Sequence, residues 1–233
     1  MLFADLTGRV TIVTGGLGAL GQASIRVLLD AGAIVVATST HHPKGHDPGL
    51  GFATVAADVA TEEGAASVVR HATDMHGALH ILVNIVGSYA GGPTVAETDL
   101  ATWREQYELN ATTAFLMARA AIPVMQMQGW GRIINVASRA ARTAPAGLAA
   151  YASSKSALIT LTEALANEGR DHGITANAIL PSVIDTPANR TAMPGSDFAT
   201  WVRPEQIGQV IRFLASEESG IISGAAIPVY GRA

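Results

Sequence analysis

The sequence predicts a doubly wound α/β domain, a parallel sheet of seven strands with helices on both faces. Three observations carry this expectation. Short apolar, β-branched runs alternate with segments whose apolar residues recur at helical spacing. A glycine-rich stretch, Gly15-Gly-Leu-Gly-Ala-Leu-Gly21, joins the first such run to the first helical segment. The chain has 233 residues, 48% of them hydrophobic, enough for one large domain with a substantial core. No internal repeat, low-complexity tract or linker divides it, so residues 1–233 read as one domain.

The first strand is Arg9 to Thr14, a β-branched run that reads as buried. The glycine turn follows, then a helix with Ile25, Leu28 and Leu29 on one face, closed by Gly32. Four glycines in seven residues exceed the need of a tight turn. Placed between strand and helix, they let the backbone approach a pyrophosphate, which the helix N-terminus then attracts. Ile34 to Thr38 is the second strand. NAD-binding units place an acidic residue near the end of this strand, to hold the ribose. Here stand Thr38, Ser39 and Thr40, with His41, His42 and Lys44 beyond. Hydroxyls and a cation suit a 2′-phosphate better than a carboxylate does, so NADP(H) is favoured over NAD(H). The cluster of His41, His42 and His46 reads as a solvated loop, since no second ligand group accompanies it, and no metal is expected.

Phe52 to Ala57 is the third strand, running into Asp58 and Val59. Thr61, Glu62 and Glu63 start a helix that Gly77 ends. Asp58 could bond an adenine amino group or simply punctuate a loop. Ile81 to Asn84 is the fourth strand, followed by a flexible glycine-rich loop from Ile85 to Pro93. A helix is expected from about Leu100 into Ala121, with Asn110 inside it. A buried amide needs partners; Asn110 either ties two elements together or holds a water near the site.

Gly131 to Ala137 is the fifth strand and ends at Ser138. Parallel strands share one carboxyl edge, so Ser138 should face the same crevice as the glycines. Thirteen residues later comes Tyr151-Ala-Ser-Ser-Lys155, opening a helix to Glu168 with Leu158, Leu161 and Leu165 at helical spacing. Residues four apart share a helical face. The Lys155 ammonium could therefore stabilise a Tyr151 phenolate and bring the phenol's acid–base chemistry towards neutral pH. Alone, the pair would read as two surface side chains one turn apart. Ile174 to Leu180 is the sixth strand. Pro181 to Trp201, with three prolines and little periodicity, is expected to be an irregular lid, its alternative being a surface excursion anchored by Phe198 and Trp201. Pro204 starts a last helix carrying Ile207, Val210, Ile211 and Leu214. Ala226 to Tyr230 contains Pro228 and reads as an edge strand.

Composition narrows the functional classes. The net charge is −4 and there is no basic run, which argues against nucleic acid as a partner. The absence of cysteine excludes disulfides and thiolate chemistry. No uncharged apolar run reaches membrane-spanning length and the first residues lack the apolar core of a signal peptide, so a soluble, cytoplasmic protein is the expectation.

Together these residues resemble the short-chain dehydrogenase/reductase family over essentially the whole chain. The resemblance rests on the glycine turn, Asp58-Val59, Asn84 with Gly87, Asn110, Ser138 and Tyr151 with Lys155. It extends through Pro181 to Thr186 and the terminal run from Ile222 to Gly231. It implies a Rossmann domain and NAD(P)-dependent reduction of a carbonyl to a secondary alcohol, or the reverse. Tyr151 would be the general acid or base, Ser138 the hydrogen-bond donor to the substrate oxygen, Lys155 the tyrosine's activator and a ribose ligand, and Asn110 the holder of a relay water. The cofactor would lie on Gly15, Leu17, Gly18, Leu20, Gly21, Ser39, Asp58, Val59, Asn84, Gly87, Tyr151, Lys155, Pro181, Ile184 and Thr186. A homo-oligomer, tetramer or dimer, is also implied. Departures concern the turn, where Ala19 follows Gly18, and Ile85-Val86 and Ser182, which replace the family's usual residues.

Two branches of the family compete. The Ser138, Tyr151, Lys155 and Asn110 set looks like 3-oxoacyl-carrier-protein reductases. The loops Gly87 to Gly92 and Ile184 to Trp201 look like dihydropteridine reductase, which would imply a quinonoid dihydropterin substrate. That enzyme lacks the active-site serine, which this chain keeps. A third reading is a dinucleotide-binding sensor without turnover; a sensor has no need of a proton donor. The loops around the site offer Arg139, Arg142 and Arg190 as cations, which either recognise an acidic tail or face solvent.

Overall fold

A computed structural model describes residues 4–40 and 51–232; the stretch 41–50, with its histidines and Lys44 and the reading made of it, lies outside them. The strands are β1 (Val10–Val13), β2 (Ile34–Ser39), β3 (Ala53–Ala56), β4 (Ile81–Asn84), β5 (Gly131–Val136), β6 (Ile174–Pro181) and β7 (Ala226–Val229). They form one parallel sheet in the order β3-β2-β1-β4-β5-β6-β7. The chain therefore winds outward from β1 in one direction and from β4 in the other. The crevice this reversal opens, above the carboxyl ends of β1 and β4, is where such sheets bind ligands. β7 lies at the edge, where Pro228 opposite Leu180 costs no interior hydrogen bond.

Alternate strand residues feed two cores. On one face Val10, Ile12 and Leu82 pack with Val68 and Ala72 of α2 (Glu62–His76), Met117 and Met125 of α4 (Thr113–Gln128) and Leu165 of α6 (Ala149–Gly169). On the other, Val13, Val35 and Ile81 pack with Leu28 of α1 (Ala19–Asp30) and Ile207, Ile211 and Leu214 of α8 (Pro204–Leu214). Each fully buried aliphatic side chain contributes roughly 1.5–3 kcal/mol. Helices α1 and α8 approach closely at Gly208, where a Cβ would stand 3.1 Å from Val27 Cγ2. The ends of α2 follow the chemistry of its sequence: the Thr61 hydroxyl accepts from the Gly64 N–H, and Gly77 takes the left-handed conformation at φ 71°.

Two elements differ from the sequence expectation. The helix expected from Leu100 to Ala121 is α3 (Leu100–Tyr107), a π-helical turn (Glu108–Thr112) and then α4, which runs past Pro123 to Gln128. The buried stripe of Met117, Ala121 and Met125 carries the helix through the proline. The expected irregular lid contains a helix, α7 (Pro187–Ala192), started by the Thr186 side chain accepting from Asn189 N–H and by proline at its first turn. Ile184 bridges to Val202, and Phe198 packs on Trp201 at 4.8 Å. This segment is anchored, with Trp201 buried.

Candidate active site

The glycine turn is shaped by contacts that leave no room for side chains. Gly15 has φ +66°, a left-handed conformation suited to glycine. Gly18 caps α1 in an extended conformation without a side-chain partner. A Cβ on Gly21 would lie 2.3 Å from the Gly15 carbonyl oxygen. The turn therefore presents backbone N–H groups at the start of a helix, the arrangement that binds pyrophosphate. The cleft above it is lined by Gly15, Leu17, Gly18, Leu20 and Gly21, by Ser39, Asp58 and Val59 at the ends of β2 and β3, and by Gly87 and Thr186. A dinucleotide fits this cradle: glycine backbone for the phosphates, apolar and small walls for the base. We expect Gly21→Ala to lose roughly 1–3 kcal/mol of stability despite alanine's better helix propensity. It should also weaken dinucleotide binding; thermal unfolding and cofactor titration check both.

Beside it, a second cleft of about 580 Å³ is lined by Ser138, Tyr151, Pro181 and Ile184, with Tyr89 and Arg139. Ser138 stands just beyond β5, and Tyr151 in the first turn of α6, so a strand end and a helix start aim both hydroxyls into one space. Both hydroxyls border this cleft, and the Ser138 oxygen also accepts from the Ala140 N–H at 3.2 Å. Tyr89 meets the Tyr151 ring edge-on at 5.1 Å and closes one side. Burial pushes the Tyr151 phenol above the usual tyrosine range; the neighbouring Ser138 hydroxyl pulls it down and Tyr89 adds a further upward push.

This corrects the expectation of a phenol already lowered by Lys155. The Lys155 side chain is buried and its Nζ donates to the Val136 carbonyl at 2.8 Å. Burial lowers its own pKa from 10.5 to about 8. Its Nζ lies where a Cβ on Gly87 would come within 3.0 Å, at the back of the crevice.

Asn110 sits in the π-helical turn, fully buried. Its Oδ1 accepts from Ser88 N–H at 3.0 Å, and its Nδ2 is within bonding reach of the Ser88 carbonyl, Gln106 Oε1 and Ser154 Oγ at 3.1–3.2 Å. The side chain thus ties the loop after β4 to α3 and α6, the first of its two sequence readings. A π-helical turn leaves its backbone out of α register, a distortion that recurs at functional sites.

Asn84 does not reach the cleft. It is buried in β4, where its Nδ2 donates to Asn135 Oδ1 at 2.9 Å, and Asn135 in turn donates to Thr162. Its assignment to the cofactor is therefore corrected to a tie between β4, β5 and α6. Gln106, Ser88 and Ser154 were not singled out in the sequence. Gln106 and Ser154 had one legible signal each: Gln106 is one turn before Asn110, and Ser154 is on the turn that carries Tyr151. Among the described residues no cluster of three or more His, Asp or Glu could hold a metal ion, and no helix is long and apolar enough to cross a membrane.

Known proteins bear on this arrangement. Residues 9–196 match the short chain dehydrogenase family model. The chain is 31% identical over 242 residues to acetoacetyl-CoA reductase of Allochromatium vinosum, covering 96% of this chain and 97% of that one. It is 31% identical to a 3-oxoacyl-[acyl-carrier-protein] reductase of Pseudomonas aeruginosa, covering 97% and 98%. It is equally 31% identical to 4-formylbenzenesulfonate dehydrogenase of Comamonas testosteroni, with the same coverage of 97% and 98%. The ligand-free aldohexose dehydrogenase of Thermoplasma acidophilum superposes with a TM-score of 0.88 at 27% identity, covering 98% of this chain and 95% of that one. The glycine cradle, the sheet order and these matches agree: the chain belongs to the short-chain dehydrogenase/reductase family and is an oxidoreductase that uses a nicotinamide dinucleotide.

Proposed function

We propose that the protein reduces a carbonyl to a secondary alcohol, or catalyses the reverse, with Tyr151 as the proton donor or acceptor and NADP(H) as the preferred cofactor. The observation that carries this is that Ser138 and Tyr151 line one cleft beside the glycine cradle. The dinucleotide supplies the hydride chemistry. Gly15, Gly18 and Gly21 would hold its phosphates, Asp58 and Val59 its adenine, Ser39 the 2′-phosphate, and Ile184 and Thr186 its carboxamide. The Ser138 hydroxyl orients the substrate oxygen and stabilises charge developing on it. Tyr151 delivers the proton to that oxygen, and its raised pKa keeps it protonated, and so ready to donate, at neutral pH. Lys155, buried behind the crevice, supplies positive charge as the tyrosine gives up its proton. The relatives named for acetoacetyl-CoA and 3-oxoacyl reduction support a carbonyl as the reacting group.

The test is a panel of ketones, acetoacetyl thioesters and quinonoid dihydropterin, each followed by NADPH or NADH absorbance. Carbonyl reduction with a lower KM for NADPH is expected. Ser138→Ala should then cost roughly 10²–10³-fold in kcat, the usual cost of losing one donor to a developing oxyanion. Turnover of the dihydropterin alone, unchanged by Ser138→Ala, would move the protein to the pterin branch. A strong NADH preference would reverse the cofactor assignment.

A further inference from the structure

The substrate cleft has an uneven electrostatic lining. Among the described residues that wall it, Arg139 is the one charged side chain, and no carboxylate faces it. The two other arginines that the loops bring near are accounted for differently. Arg190 binds Asp185 through two parallel bonds, Nε to Oδ1 at 2.6 Å and Nη2 to Oδ2 at 2.8 Å, and covers the Phe198 ring. Arg142 stands exposed on the short helix α5 (Ala140–Thr143), outside the cleft wall.

Arg139 differs from both. It is half-buried, and among the described residues its guanidinium has no ion pair and no side-chain hydrogen bond. Its nearest aromatic contact is Tyr230, whose ring centre is 5.7 Å away. The backbone beneath it is fixed: Arg139 N–H donates to the Pro181 carbonyl at 2.9 Å, and its own carbonyl accepts from Arg142 N–H at 2.9 Å. A guanidinium drawn partly out of water, without a counter-ion, on a fixed backbone and next in sequence to Ser138, is a preorganised fork for an anion. It also opposes the net charge of −4, which would otherwise repel such a substrate.

We propose that the natural substrate carries a carboxylate in addition to its reacting carbonyl, and that Arg139 selects it by binding that carboxylate. The inference rests on the carbonyl-reduction reading and deepens it. Ser138 and Tyr151 hold the carbonyl oxygen, while the fork at Arg139 takes the far end of the molecule. Leu148, Ala192 and Met193 give part of the remaining wall an apolar surface that suits the carbon skeleton, beside the uncharged polar Thr143, Ser182 and Asn189.

Matched pairs test this: 4-acetylbenzoate against its methyl ester, and 5-oxohexanoate against its methyl ester. The wild type should prefer each acid by roughly 10- to 100-fold in kcat/KM, the usual value of a partly buried charged hydrogen bond, with most of the difference in KM. In Arg139→Gln the acid-to-ester ratio should fall to about one, and Arg139→Lys, which keeps the charge but not the fork, should lie between. Calorimetric titration of benzoate into the NADP⁺-loaded protein should show binding that Arg139→Gln loses. Melting curves report whether the variants fold; if Arg139→Gln does not, Arg139→Lys and the wild-type ratio decide. Equal turnover of acid and ester by the wild type, or an acid preference that survives Arg139→Gln, overturns the assignment. Absence of NAD(P)H oxidation with every carbonyl would reject the reductase reading, and this one with it, whereas turnover blind to the carboxylate rejects this one alone.

Discussion

Replacing Tyr151 with phenylalanine should cost roughly 10²–10⁴-fold in kcat, the range that a positioned general acid contributes, while the dinucleotide still binds. The substitution removes one oxygen and keeps the ring. The edge-on packing against Tyr89 survives, and so does the helix start that places residue 151 over the cleft. The hydroxyl that disappears belongs to a half-buried side chain on the cleft wall, and its neighbour Ser138 remains bonded to the Ala140 N–H. Folding should therefore change little, and the loss is chemical. Single-turnover absorbance with saturating cofactor reads the chemical step, and fluorescence titration reads binding. Loss of turnover with retained binding separates an enzyme from a dinucleotide sensor, in which the phenol would have no proton to give. A variant that reduces substrate at the wild-type rate would remove Tyr151 from the mechanism. Because burial raises the phenol's pKa, the protonated donor should persist well above neutral pH, so reduction should not decline through a tyrosine titration between pH 6 and 8.

Much of this site was legible because its parts announce themselves locally. A glycine cluster between a β-branched run and an amphipathic helix has few other uses, and each strand could be seen in its own residues. Strand order then follows from the winding rule, which brings distant strand ends to one edge. What resisted reading depends on pairing across the sheet. The family resemblance assigns Asn84 to the cofactor, yet its amide turns sideways to Asn135, a partner 51 residues on. Asn110 reads from the sequence as a helical amide in need of partners; the fold alone supplies which ones, Ser88, Gln106 and Ser154 on three different segments, and the π-helical turn that houses it. The helix expected to end near Ala121 continues past Pro123 because burial of Met125 beyond it carries the helix on. The Tyr151–Lys155 spacing correctly puts both residues on one face of α6. Spacing carries no information on solvent, however, and it is desolvation that sets the direction of both pKa values.

Lys155→Met should make the cofactor-free protein more stable at pH 7 while destroying its activity. Burial lowers the lysine's pKa from 10.5 to about 8. The folded state thus holds this proton less tightly than the unfolded chain does. Between pH 8 and 10.5 the unfolded chain keeps a proton that the folded protein releases, so stability rises with pH across that window. Below about 8 both states are charged and the whole penalty of a buried ammonium is present. At about 1.4 kcal/mol per pH unit the penalty is roughly 3 kcal/mol. Methionine has similar length and carries no charge, but it abandons the bond to the Val136 carbonyl, which returns about 1 kcal/mol. The net gain of about 2 kcal/mol corresponds to roughly 4–8 °C in melting temperature for a domain of this size. The gain should shrink as the pH is raised from 7 towards 10, because the wild-type lysine then becomes neutral on folding. A variant that melts below the wild type at pH 7, by an amount that does not change with pH, would show that the buried ammonium stabilises the fold instead. With the predicted outcome, the ammonium is held at a cost to the fold, and that cost has a use only beside a bound ligand and a phenol that must lose its proton.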